Sequence, residues 1–219
     1  MSMIYSVTVN GGIPENAYFY IDEETLHGFL VDPGASGAAL FNMASEKGWE
    51  IEGLLITHGH FDHVGGVAAF AKAWEQAHGA PLPVYIGEAG EKYLRDPEYN
   101  LSLGFGGPVR MEGKICYQKD GAVVKLEDGS LSLQYISTPG HTEDSGIWYD
   151  EASGIAFVGD TIFADGGYGN FRFPGGSFEV LMDSIQSRIL TLPEDTRLLS
   201  GHSGPTTVGR ERKFYTKSL

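Results

Sequence analysis

The run Thr57-His58-Gly59-His60-Phe61-Asp62-His63 constrains this chain more than any other stretch. Three imidazoles and a carboxylate packed this closely are costly to bury unless a cation offsets their desolvation. The run therefore reads as a metal-binding word. It cannot be helical throughout, because residues two apart lie on opposite sides of a helix while His58 and His60 must converge on one ion. A loop is expected. Ile51-Glu52-Gly53-Leu54-Leu55-Ile56 ahead of it reads as a short buried strand. Val64-Gly65-Gly66-Val67 behind it opens a helix with Val67, Phe70, Ala71 and Trp74 on its apolar face.

Three further ligand candidates follow strands of their own. Leu131–Ile136 alternates as a strand and delivers Thr138-Pro139-Gly140-His141-Thr142, where proline and glycine fix a turn. The apolar run Ile155–Val158 ends in Gly159-Asp160-Thr161, and Arg197–Ser200 leads into Gly201-His202-Ser203-Gly204-Pro205. These groups are far apart in the chain, so they meet only through the tertiary fold.

The ordered pattern His-x-His-x-Asp-His, then histidine, aspartate and histidine, resembles the metallo-β-lactamase-fold hydrolases over nearly the whole chain. Within them it is similar to the small glyoxalase II-like (hydroxyacylglutathione hydrolase-like) enzymes. The words Thr-Pro-Gly-His-Thr and Gly-Asp-Thr-Ile-Phe strengthen the match. The resemblance implies that His58, His60 and His141 hold one metal ion, that Asp62, His63 and His202 hold a second, and that Asp160 bridges them. Three protein ligands per ion plus a shared carboxylate leave open positions, as catalytic sites do. A water held between two divalent ions would be a hydroxide near neutral pH, the expected nucleophile, while the metals polarise a carbonyl. Asp62 is the residue expected to orient that hydroxide or move a proton, as well as to ligate. Imidazole and carboxylate donors suit zinc first, with iron and manganese also accommodated. The expected activity is hydrolysis of a thioester or similar small acyl substrate. Two alternatives stay open. One is a persulfide dioxygenase-like oxygenase with a single iron on the equivalents of His58, His141 and Asp160; the other is a lactonase or β-lactamase-like hydrolase.

Composition narrows the field. A chain of 219 residues with 42% hydrophobic and 12% aromatic content suits one ordinary enzyme domain over 1–219, not a disordered segment. The formal charge of −14 disfavours a phosphate-backbone partner and hence nuclease activity. A small-molecule substrate is expected, with no nucleic acid and no membrane partner; the oligomeric state stays open. The single cysteine, Cys116, can form no internal disulfide and reads as a small core residue, which suits a reducing cytoplasm. No apolar stretch is long enough for a membrane span, and the N-terminus lacks the pattern of a signal peptide.

Early strands are expected at Ile4–Val9, Ala17–Ile21 and Gly28–Val31, then a helix from about Ser36 to Lys47 stopped by Gly48. In the second half, strands near Ala122–Lys125, Leu131–Ile136, Gly146–Tyr149 and Ile155–Val158 precede a helix with Phe178, Leu181, Met182, Ile185 and Ile189 on one face. The resemblance implies an α+β fold, a four-layer αββα sandwich with the ligand loops at one edge of the sheets. Two glycine-rich segments, Tyr99–Pro108 and Asp165–Gly176, read as rims of the site, with Phe105, Tyr168, Asn170 and Arg172 as candidate substrate contacts. The second departs from its relatives, which often carry Gly-Arg-x-Asp where this chain has Gly169-Asn170-Phe171-Arg172.

Other residues get ordinary roles. His27 and His78 lie outside the ligand words, and Asp32 reads as a turn former or a brace for the ligand loop. Seventeen residues follow His202, too few for the helical domain that supplies glutathione contacts in full-length glyoxalase II enzymes. Weak dependence on a glutathione group is therefore expected. The basic tail bearing Arg210, Arg212, Lys213 and Lys217 is expected to be a solvated end.

Overall fold

In the computed structural model, which describes residues 1–105 and 107–215, twelve strands form two six-stranded sheets. The first takes β1 (Ser2–Asn10), β2 (Pro14–Asp22), β3 (His27–Val31), β4 (Glu50–Leu55), β5 (Val84–Gly87) and β6 (Ile115–Gln118) in that spatial order. Its first three strands are antiparallel; from β3 onward neighbours run parallel. The second contains β7 (Val123–Lys125), β8 (Ser132–Ser137), β9 (Gly146–Asp150), β10 (Ile155–Gly159), β11 (Arg197–Ser200) and β12 (Thr206–Thr207). There only β10 and β11 are parallel neighbours.

Period-two alternation along the strands separates three cores. On β2, Tyr18 and Tyr20 join Phe29, Leu133, Trp148 and Phe157 in the cluster between the sheets. Ala17, Phe19 and Ile21 face the other way, beneath α1 (Gly37–Lys47) and α3 (Val67–His78), which contribute Leu40, Phe70 and Trp74. The outer face of the second sheet packs Ile147, Ala156 and Leu198 against Leu181, Ile185 and Ile189. These last come from α5 (Phe178–Ser184) and the π-helical turn Ile185–Ile189 that continues it. Three buried clusters between four layers make the αββα sandwich. Each fully buried large apolar side chain stabilises it by roughly 1.5–3 kcal/mol.

Several elements depart from the sequence expectation. The ligand run is a loop only as far as His60, because Phe61–Val64 close one helical turn, α2. β5, β6, α4 (Gly90–Arg95) and β12 are short pieces without a full period of pattern. Cys116 lies half-buried on β6, not inside the core. Phe178 is 47% exposed and packs on Tyr168 and Phe171 of the neighbouring loop, not on the sheet. The basic segment is no solvated end: Val208–Tyr215 form α6, which buries Val208, Glu211 and Tyr215. Arg210 pairs with Asp165 and Arg212 with Glu194. Gly106 and 216–219, including Lys217, lie outside the described residues. No described helix is long and apolar enough to cross a membrane.

Candidate metal centre

All four ligand words sit just past the ends of strands β4, β8, β10 and β11, and the sandwich brings them to one spot. After β4, Thr57 is held twice by Asp32. Its backbone N–H donates to Oδ1 at 2.8 Å and its hydroxyl to Oδ2 at 2.6 Å. Two more anchors shape the loop: the Gly59 N–H donates to Asp144 at 2.9 Å and the Phe61 N–H to the Asn100 carbonyl at 2.9 Å.

The nitrogens His58 Nε2, His60 Nδ1 and His141 Nε2 lie 3.0–3.2 Å from one another. Ligand bonds of about 2.0–2.1 Å to one ion place neighbouring donors roughly 3 Å apart, so these three fit one ion's coordination shell. Beside them, His202 Nε2 stands 3.3 Å from Asp62 Oδ2 and 3.4 Å from Asp160 Oδ2. Asp160 reaches both groups, with Oδ1 3.4 Å from His63 Nε2 and Oδ2 3.6 Å from His141 Nε2. His58-His60-His141 and Asp62-His63-His202 are each close enough to hold a metal ion, and so is His58-His63-Asp160.

Ring orientation is set from behind. His141 Nδ1 donates to the Asn170 carbonyl at 2.9 Å, His202 Nδ1 to the Pro14 carbonyl at 2.8 Å, and His63 Nδ1 to Asp32 at 2.9 Å. Each bond fixes the tautomer that turns Nε2 toward the cluster. His63 Nε2 and Asp160 Oδ1 are buried without a hydrogen-bond partner. A cation between them would satisfy both.

The electrostatics divide the cluster in two. Burial and the neighbouring imidazoles hold His58 well below its usual pKa, and burial with His141 pushes His60 down to about 3. Burial also lowers His141. These three are therefore neutral, the form that ligates. In the other half, burial disfavours charge on Asp160, yet His63, His202 and His141 together hold it well below the carboxylate range. His202 is pushed up to about 10, because hydrogen bonds to Asp160 and Asp62 outweigh its burial. The carboxylates here call for positive charge, which a divalent ion would supply in place of those protons.

Two contributors were not legible in the sequence. Asp144, buried and raised to about 7 by that burial, braces Gly59; only its place three residues after His141 hinted at a role. Glu15 is buried with both oxygens unpartnered, 3.9 Å from His63 Nδ1, and burial holds it well above its usual pKa. Nothing in its local sequence marks it.

Of the proposed substrate contacts, Phe105, Tyr168 and Asn170 line a cavity of about 710 Å³ that opens onto His60, Asp62, His141, Asp160 and His202. Phe105 stacks on Phe61 with ring centroids 4.4 Å apart. Arg172 lies elsewhere, exposed with its guanidinium over the Phe171 ring.

The model of the metallo-β-lactamase superfamily matches residues 10–202. The chain belongs to that superfamily. The chain is similar to the probable metallo-hydrolase YqgX of Bacillus subtilis, 33% identical across 92% of this chain and 91% of that one. Hydroxyacylglutathione hydrolase GloC of Haemophilus influenzae is 29% identical across 84% of each chain. Among solved structures, the BLEG-1 B3 metallo-β-lactamase superposes with a TM-score of 0.85 at 28% identity, covering 96% of this chain and 97% of that one.

One prediction follows from the braces. Removing Asp32 strips Thr57 and His63 of their shared acceptor, so Asp32→Ala is expected to weaken metal binding roughly 10–100-fold. Competition against a chromophoric chelator measures it, and parental affinity would show that Asp32 braces nothing. His27, paired with Glu52 at 2.6 Å, and His78, stacked on Trp74 at 3.7 Å, stand apart from the cluster. His27→Ala and His78→Ala should keep parental metal content and turnover.

Proposed function

We infer that this protein is a metal-dependent hydrolase with two ions per chain, acting on a thioester or similar small acyl substrate. The observation that carries this reading is the convergence of five imidazoles and two carboxylates into one cluster that faces the 710 Å³ cavity. His58, His60 and His141 would hold the first ion, and Asp62, His63 and His202 the second, with Asp160 shared. Divalent ions in these positions supply an activated water as nucleophile and polarise the substrate carbonyl. The protein's part is placement and proton handling. Asp62 lines the cavity with an oxygen 3.3 Å from His202 Nε2, so its carboxylate would be placed to take a proton from water and return it to the leaving sulfur. Asn170 fixes His141 through its carbonyl while its own side chain stays at the cavity wall. The stacked Phe61 and Phe105 make one wall of the cavity apolar.

The GloC relative supports the thioester reading, and the imidazole and oxygen donor set suits zinc, iron or manganese. The likeness to BLEG-1 favours lactam hydrolysis as a second reading. Metal content of the purified protein, followed by assays of zinc-, iron- and manganese-loaded forms on a panel of thioesters and a β-lactam, tests both. Two ions per chain with thioester turnover are expected. One iron per chain with oxygen consumption and no hydrolysis would refute the reading in favour of a persulfide dioxygenase-like reaction.

A further inference from the structure

We propose that the substrate enters this cavity as an uncharged, apolar acyl chain on a carrier that is not recognised through its negative charges. The inference rests on the hydrolase reading above and specifies its substrate class.

Beyond the metal cluster the cavity wall is mostly apolar, with Asn170 and Glu98 as its polar exceptions. Phe61 and Phe105 form a stacked pair, and Tyr168 and Phe173 line the cavity too. Among the described residues lining it, none is lysine or arginine. The one charged group outside the cluster is Glu98, exposed at the rim. Of the cations close by in the chain, Lys92 pairs with Glu143 and lies over Tyr99, Arg110 donates to the Arg95 carbonyl, and Arg172, which does not line the cavity, lies over the Phe171 ring.

The mouth is apolar as well. Leu103 is 59% exposed and Phe105 45%, and Tyr168 and Phe173 are also exposed. Large apolar side chains left in water around one opening mark a surface that gains by being covered. A chain threading between them toward His60 and Asp62 would cover it. A carrier bearing several carboxylates would meet no lysine or arginine among the described lining residues and face Glu98 on a protein of net charge −14, so charge disfavours it over a neutral carrier. A cavity of this size and lining is typical of sites for small, mostly apolar ligands.

Binding of stable thioethers separates this inference from the reaction it serves. The zinc-loaded protein is titrated with four compounds, S-methyl and S-hexyl N-acetylcysteamine and S-methyl and S-hexyl glutathione. The hexyl compounds are expected to bind at least tenfold more tightly than the methyl ones, since each added methylene that leaves water contributes up to about fourfold. The glutathione conjugates should bind no more tightly than their neutral counterparts. Leu103→Asp, on a surface position that leaves the fold intact, should remove most of the hexyl advantage. Glu98→Gln should favour the glutathione compounds selectively, by a few-fold.

Equal binding of methyl and hexyl thioethers would overturn the proposal, and so would a tenfold or greater preference for glutathione. Hydrolysis of the matching acetyl and hexanoyl thioesters is measured in parallel. Absence of turnover on all of them, with the hexyl preference intact, would refute the thioesterase reading and leave the pocket assignment standing.

Discussion

Asp160→Ala is expected to abolish turnover while leaving a folded chain. Its two oxygens stand near histidines of both halves of the cluster, His63 and His202 on one side and His141 on the other. Losing them separates the halves and removes the negative charge that favours two cations in one pocket. The loss should exceed a thousandfold in kcat/KM, about 4 kcal/mol, together with at least one ion per chain. Metal analysis and steady-state kinetics on the same sample check it. A variant with both ions and only a tenfold deficit would mean that Asp160 is not shared. Circular dichroism should show native secondary structure, since the residue sits past the end of β10 and not within the core.

Gly34→Ala should be nearly as damaging, through sterics alone. A β-carbon at this position would overlap the backbone carbonyl of Asp62 and approach Glu15 Oε2 to 3.0 Å. Backbone cannot rotate out of the way as a side chain can, so α2 must shift and carry Asp62 and His63 with it. Overpacking of this kind costs about 1–3 kcal/mol, and the Tm should fall by roughly 5–10 °C. Turnover should fall at least a hundredfold, because small displacements of catalytic groups are costly. A thermal melt and a metal titration together give the answer. Parental values in both would show that the approach of the Asp32 turn to α2 carries no constraint.

The metal cluster was legible because its parts are words. His58, His60, Asp62 and His63 sit too close in sequence for the run to be helical throughout, and His141, Asp160 and His202 each stand among turn residues past a strand. Long alternating strands were legible for the same local reason. What was not legible acts across the fold. Asp144 braces Gly59 from 85 residues away, and Glu15 reaches His63 only because β2 passes beneath α2. The exposure of Phe178 could not be read from helical period, since that period does not say whether sheet or loop lies beneath the first turn. In α6 one of the three buried residues, Glu211, is a carboxylate, which no apolar pattern would mark.

That carboxylate, Glu211, accepts hydrogen bonds from the backbone N–H groups of Asp165 and Gly166 and from the Thr206 hydroxyl. The loop that supplies Tyr168, Asn170 and Phe173 to the cavity is thus tied at its root to a helix that lines no part of it. Selection for a different substrate can therefore work at a distance. Shortening this tether by one methylene, as in Glu211→Asp, would reset the loop's pitch without altering any group that meets the ligand. Homologues with identical linings but divergent final helices are accordingly a natural place to look for divergent substrate preference.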